Sequence, residues 1–183
     1  MADFGYHYLE TAAVELRKLK TLADRAVAQV KDEDLTTALD PESNSLAVLM
    51  RHVGGNLRSR FRDFLTTDGE KPDRDRDSEF VVPEGTTRED LLATWETGWT
   101  TLLDSVDALL PADLEKTVTI RGEPHSLVQA LERAFGHLAY HVGQIVFLAK
   151  HLRWRDWQNL SVPRGASADF NRRMAEKAEA TKQ

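Results

Sequence analysis

The chain has no cysteine. That excludes disulfides, iron–sulfur clusters, thiolate zinc sites and a catalytic cysteine of its own, and it fits a reducing compartment. No stretch approaches the roughly 18 apolar residues that a membrane span needs. The first ten residues, MADFGYHYLE, have neither a basic start nor an apolar run, so no secretion signal is expected and the cytoplasm is the expected location. Positive charge is in the minority, with 24 Lys and Arg against 30 Asp and Glu and a formal net charge of −6. Phosphate binding needs clustered positive charge, so this balance weighs against nucleic acid as the main partner. There is no Gly-rich phosphate loop, because the GG of VGGNL lacks the Lys and Ser/Thr that must follow, and no nucleophile elbow.

What is present is helical periodicity. The 183 residues suit one domain with its own core. Four segments carry apolar residues at three- and four-residue spacing. The first runs from about Tyr6 to Val30. The second runs from about Leu46 to Leu65, with Ser43, Asn44 or Ser45 as its cap. Gly54 and Gly55 lie inside it, and admit either a close neighbouring helix or room for a ligand. The third follows Thr86, which with Glu89 reads as a capping box. Its stripe of Leu92, Trp95, Trp99, Leu102, Leu103, Val106, Leu109 and Leu110 is expected in the core, and Pro111 stops it. The fourth starts from a Ser126–Gln129 capping box and ends near His151. Between the last two, Thr117–Ile120 and the Arg121-Gly122 turn predict a short hairpin. The expected fold is therefore an all-α, four-helix bundle with a small β-hairpin before the last long helix. Residues 1–165 form the domain and 166–183 a polar tail. Trp154 and Trp157 are expected to pack the chain back onto the bundle. Residues 66–85 form a polar loop that is either solvated or a lid.

Six histidines carry the chemistry. His137 and His141 stand four apart in GHLAYHVGQ, which puts both rings on one helical face one turn apart. They lie beside the apolar stripe in the middle of their helix. His52 flanks the stripe of the second helix, with Asn56, Ser59 and Asp63 continuing a polar ribbon along it. Helical bundles assemble metal sites from such inward side chains on facing helices, so these three are candidate ligands of one divalent ion. Gln144 continues the His137–His141 face and can bond a ligand or bound water. His7, His125 and His151 have weaker claims: His7 is near the N-terminus, His125 reads as a turn residue, and His151 sits in a last helical turn. HLAYH lacks the Glu of the metalloprotease helix, and Asp63, Gln144 or a metal-bound hydroxide are the open choices for a general base.

The pieces RHVGGNLRSRFRDFLTTDGEKP, TVTIRGEPHS, ALERAFGHLAYHVGQIVFLAK and LSVPRGASADFN together resemble the DinB/YfiT-like superfamily of candidate metalloenzymes, in an uncharacterised bacterial branch. The resemblance implies a four-helix bundle holding nickel, zinc, iron or a similar ion on His52, His137 and His141. It also implies frequent homodimers and, in some members, a low-molecular-weight thiol as co-substrate. The expected function is metal-dependent chemistry on a small molecule, S-transferase-like or hydrolytic. A stress-linked metal- or ligand-binding module, or a purely structural bundle, are the other readings.

Overall fold

The computed structural model describes residues 2–180. Four long helices form the bundle: α1 (Ala2–Val27), α2 (Leu46–Phe61), α3 (Arg88–Asp107) and α4 (Leu127–Leu152). Strands β1 (Thr117–Ile120) and β2 (Glu123–Ser126) pair antiparallel just before α4, and a shorter helix α5 (Ser167–Ala180) follows. The expected all-α fold with one hairpin is what the chain adopts.

Each start has a local cause. Ser45 caps α2, its side chain accepting from the Val48 amide. The box of α4 forms as expected, with the Ser126 amide donating to Gln129 Oε1 at 2.9 Å and the Gln129 amide to Ser126 Oγ at 3.1 Å. That of α3 is one residue later than Thr86–Glu89: Thr87 pairs reciprocally with Asp90, while the Thr86 hydroxyl donates to the Pro83 carbonyl. Both threonines have an acid three residues on, so local chemistry alone does not choose. The later start accompanies burial of Leu91, 2% exposed, with Leu92 left at 36%. In the hairpin, Arg121 (φ 56°) and Gly122 (φ 76°) are both left-handed, as a two-residue type I′ turn requires. His125 lies on β2 opposite Val118, in the strand rather than in the turn.

The core runs the length of the bundle, centred on Trp95 and Trp99 of α3, both buried, their ring centroids 5.5 Å apart. The Trp95 indole N–H donates to Asp24 at 2.8 Å, which anchors that ring to α1. α2 packs chiefly on α3, and α1 on α4. Helices α2 and α3 approach backbone to backbone: a Cβ on Gly54 would lie 2.6 Å from the Thr94 carbonyl, and one on Gly98 2.5 Å from that of Gly54. Three expected core contributions fail, Leu92, at 36% exposed, being the first. Leu110 lies beyond the end of α3 and is 59% exposed, and Trp154 is 70% exposed, its ring facing the Arg155 guanidinium. Trp157 alone of that pair packs against the core. No residue of α5 is buried. No helix among the described residues is long and apolar enough to cross a membrane.

Candidate metal centre

α2 and α4 bring His52, His137 and His141 together, each offering a ring nitrogen within 4.8 Å of the others. His52 and His141 are buried and His137 is half-buried. The Nε2 atom of His137 stands 3.3 Å from Nε2 of His52 and 3.2 Å from Nε2 of His141. Imidazoles bound to one tetrahedral ion at about 2.0–2.1 Å have their nitrogens roughly 3.3–3.4 Å apart. The three residues lie close enough to hold an ion, and the two separations from His137 match that spacing.

The outer nitrogens fix the rings. His52 Nδ1 donates to Glu79 Oε2 at 2.9 Å, and His141 Nδ1 donates to Gln144 Oε1 at 2.8 Å. Each proton spent outward leaves a bare Nε2 lone pair facing inward. His137 Nε2 carries at most one hydrogen and can satisfy only one of its two neighbours. At least one short nitrogen–nitrogen approach therefore has no proton in it, and a cation at the common point removes that repulsion. Charge state agrees with this. Burial first, then the rings of His141 and His52 and the guanidinium groups of Arg74 and Arg60, push His137 down to about 4. Burial also lowers His141, against the opposing bond to Gln144. Both are neutral, ligand-competent imidazoles near pH 7.

Glu79 comes from the 66–85 loop, in the 3₁₀ turn Asp77–Phe80. Burial raises its carboxyl, but the bonds from His52 and Arg74 outweigh that and hold it below the ordinary carboxylate range. Arg74, with a side chain only 4% exposed, grips both carboxylate oxygens at 2.8 and 3.0 Å. Such forked pairs are the strong ones. Gly55 answers its own question here: a Cβ would strike the Glu79 carboxylate, with its carbon 2.8 Å away. The glycine pair thus serves two neighbours, Gly54 a helix and Gly55 a carboxylate. Phe80 covers the other side of His52, ring centroids 4.9 Å apart.

The loop is bound over much of its length. Ser59, which sequence placed on the polar ribbon, donates to the Gly69 carbonyl at 2.9 Å and accepts from the Lys71 amide at 3.1 Å. Asp68 accepts from the amides of Arg121 and Gly122 at 2.8 and 2.7 Å, tying the loop to the hairpin. The Asp73–Asp77 charge alternation sorts by side: Arg74 points inward to Glu79, while Asp73 pairs outward with Arg62 at 2.5 Å.

Of the auxiliary residues, Gln144 bonds His141 directly. Asn56 lines a cavity of about 210 Å³ together with His52 and His137. Asp63 does not reach it. Because α2 ends at Phe61, Asp63 leaves the helical ribbon, turns to φ 51° and caps the following turn, its carbonyl accepting from Thr66 and Thr67. As a general base it is withdrawn. His7 and His151 are exposed on α1 and α4, away from the cluster. Glu79 and Arg74 are what the sequence reading missed. The available signal was chemical: a metal-binding His usually gives its other N–H to a carboxylate or carbonyl, and SEF in this loop carries such an acid.

A family model described as "Protein of unknown function (DUF1572)" matches residues 3–166. No curated protein and no solved structure gives a significant match. The match spans the hairpin, all three histidines and the loop that supports them, and the chain belongs to the DUF1572 family.

Proposed function

We propose that this protein is a metal-dependent enzyme acting on a small molecule, of the DinB/YfiT kind, with S-transfer from a low-molecular-weight thiol as the favoured reaction and hydrolysis as the alternative. One observation carries the reading: three Nε2 atoms aimed at one point, two of them bared by outward hydrogen bonds, beside a cavity with room for a ligand. His52, His137 and His141 would hold the ion, and Glu79 and Gln144 keep two of the rings turned toward it. A bound divalent ion with open positions lowers the pKa of a water or thiol and polarises a carbonyl.

The chain's own groups narrow the class. No Asp or Glu lines the cavity among the described residues, and Glu79, the carboxylate that touches a histidine of the cluster, is engaged by His52 and Arg74. The site therefore supplies no side-chain base. That favours a nucleophile that ionises readily, and a thiol with a pKa of about 8.5 does so far more easily than water. The apolar wall of Phe61, Phe64, Ile120, Ala130 and Ala134 suits the body of an organic electrophile. A homodimer is proposed with it; Tyr140 and Phe147, 64% and 65% exposed on α4, offer an apolar face for one.

The test is metal content of untagged protein, followed by turnover. Near-stoichiometric nickel, zinc or iron that disappears in His137→Ala is expected, with thermal stability rising on metal addition because an ion bound to the folded state must stabilise it. Less than about a tenth of an equivalent and no stability gain would remove the metal reading. Metal-dependent consumption of an electrophile only when a thiol is supplied is the expected turnover. Bound metal without turnover by any thiol or with water would leave a binding module instead.

A further inference from the structure

The chain is acidic overall, at −6, yet the cavity beside the histidines is walled by guanidinium groups. Arg60, Arg74, Arg76, Arg121 and Arg133 all line it. Their acidic partners are few. Glu70 is shared by three of them, at 3.0 Å from Arg60, 3.4 Å from Arg74 and 2.9 Å from Arg121. Glu79 takes Arg74 a second time and is also spent on His52. Arg76 has only a loose approach to Asp77 at 3.8 Å, whose side chain is 98% exposed. Arg133 makes no ion pair among the described residues. Five cations against Glu70, Glu79 and the exposed Asp77 leave two positive charges in excess at one small cavity. In addition, Arg60 Nη1 is buried with no hydrogen-bond partner, an unmet donor that costs stability unless something accepts from it.

Surface arginines on an acidic protein ordinarily find carboxylates. Here the loop, α2, α4 and the hairpin each deliver one or more to a cavity whose lining holds no acid. Concentrated positive potential in a low-dielectric cleft attracts and orients anions, and guanidinium groups match carboxylate and phosphate oxygens in fork geometry. The rest of the lining is largely apolar, with Phe61, Phe64, Ile120, Ala130 and Ala134.

We propose that the cavity binds a small organic anion, its carboxylate or phosphate held by Arg133, Arg121 and Arg60 and its apolar body against Phe61 and Phe64, with its reactive end toward His52 and His137. The inference names the substrate class for the metal reading above, but anion binding is measurable without turnover.

The probes are phenylacetate and phenyl phosphate, each set against its uncharged counterpart, phenylacetamide and phenol, by calorimetry on the full chain with and without zinc. The anions bind and the neutral compounds do not. Arg133→Gln and Arg121→Gln each weaken anion binding roughly tenfold or more, as loss of a charged hydrogen bond predicts, and added salt weakens it further. Both side chains are largely exposed, so unchanged thermal unfolding of the variants is expected and separates lost recognition from lost fold. Tighter binding of phenylacetate or of phenyl phosphate decides which anion the wall is shaped for. Equal binding of charged and neutral probes, or wild-type affinity in both variants, overturns the proposal. Zinc binding without anion binding sinks this inference alone. Anion binding by a chain that takes up no metal sinks the metal reading and leaves the anion site standing.

Discussion

Helix α2 treats its two sides in opposite ways. Toward α3 it presents Gly54 and buried aliphatic residues, and the two backbones touch with Trp95 and Trp99 filling the interior. Toward α4 it presents His52 and Asn56, and the gap is held open by a carboxylate, guanidinium groups and two further imidazoles. The first interface obtains its order chiefly from close packing, with one directional bond at its end, from the Ser105 hydroxyl to the Phe61 carbonyl at 2.8 Å. The second leaves space, and its order has to come from directional bonds, Glu79 to His52 and Gln144 to His141. One helix thus shows that a site can be rigid without being densely packed, provided another element supplies the acceptors.

The comparison breaks most visibly on the packed side. Trp99→Ala removes a ring with no exposed surface and is expected to cost about 3–5 kcal/mol of stability, read as a shift of the urea midpoint. The metal affinity of the molecules that remain folded should not change. On the open side the pattern inverts. Glu79→Gln keeps the shape but weakens the acceptor for His52, and should lower metal affinity about 10–100-fold by competition with a chelator, with the smaller effect on unfolding. If the two variants exchange these effects, the division between packed and bonded sides is wrong.

A smaller effect sharpens the comparison where the loop meets the hairpin. The Asp68 carboxyl is lowered, chiefly by bonds from the Glu70 and Gly122 amides, with burial opposing and the Arg121 amide adding to it. A lowered folded-state value means the tie contributes above the ordinary carboxylate pKa of about 3.9 and is lost as pH falls through the folded value beneath it. The amide resonances of Arg121 and Gly122 should hold steady from neutral pH to about pH 4 and move only below that. In Asp68→Asn that movement should vanish. Movement centred at or above the ordinary value would show that the bonds to Asp68 contribute nothing.

The packed side was largely legible in the sequence. Stripes such as Leu127, Leu131, Leu138, Val142 and Ile145 report burial because a helix has a fixed period, and the same period placed His137 and His141 on one face. His52 was legible through its position beside the stripe of α2. What supports the histidines was not. Glu79 and Arg74 sit in a loop, where no period relates sequence spacing to direction, so DRDRDSE reads as a solvated charge run. Asp63 failed for the converse reason: the helical period was carried two residues past the end of the helix. The arginine wall escaped notice because its members come from four separate elements and the overall composition is acidic.

The 66–85 loop is uneven along its length. From Asp68 to Phe80 it is knotted into the hairpin, Ser59 and His52, whereas Val81 is 63% exposed and an added Cβ on Gly85 meets nothing within 4 Å. Extra residues or a fluorescent reporter spliced between Glu84 and Gly85, past Val82, which packs against the core, would leave the histidine cluster intact. The same insertion a few positions earlier would pull Glu79 off His52.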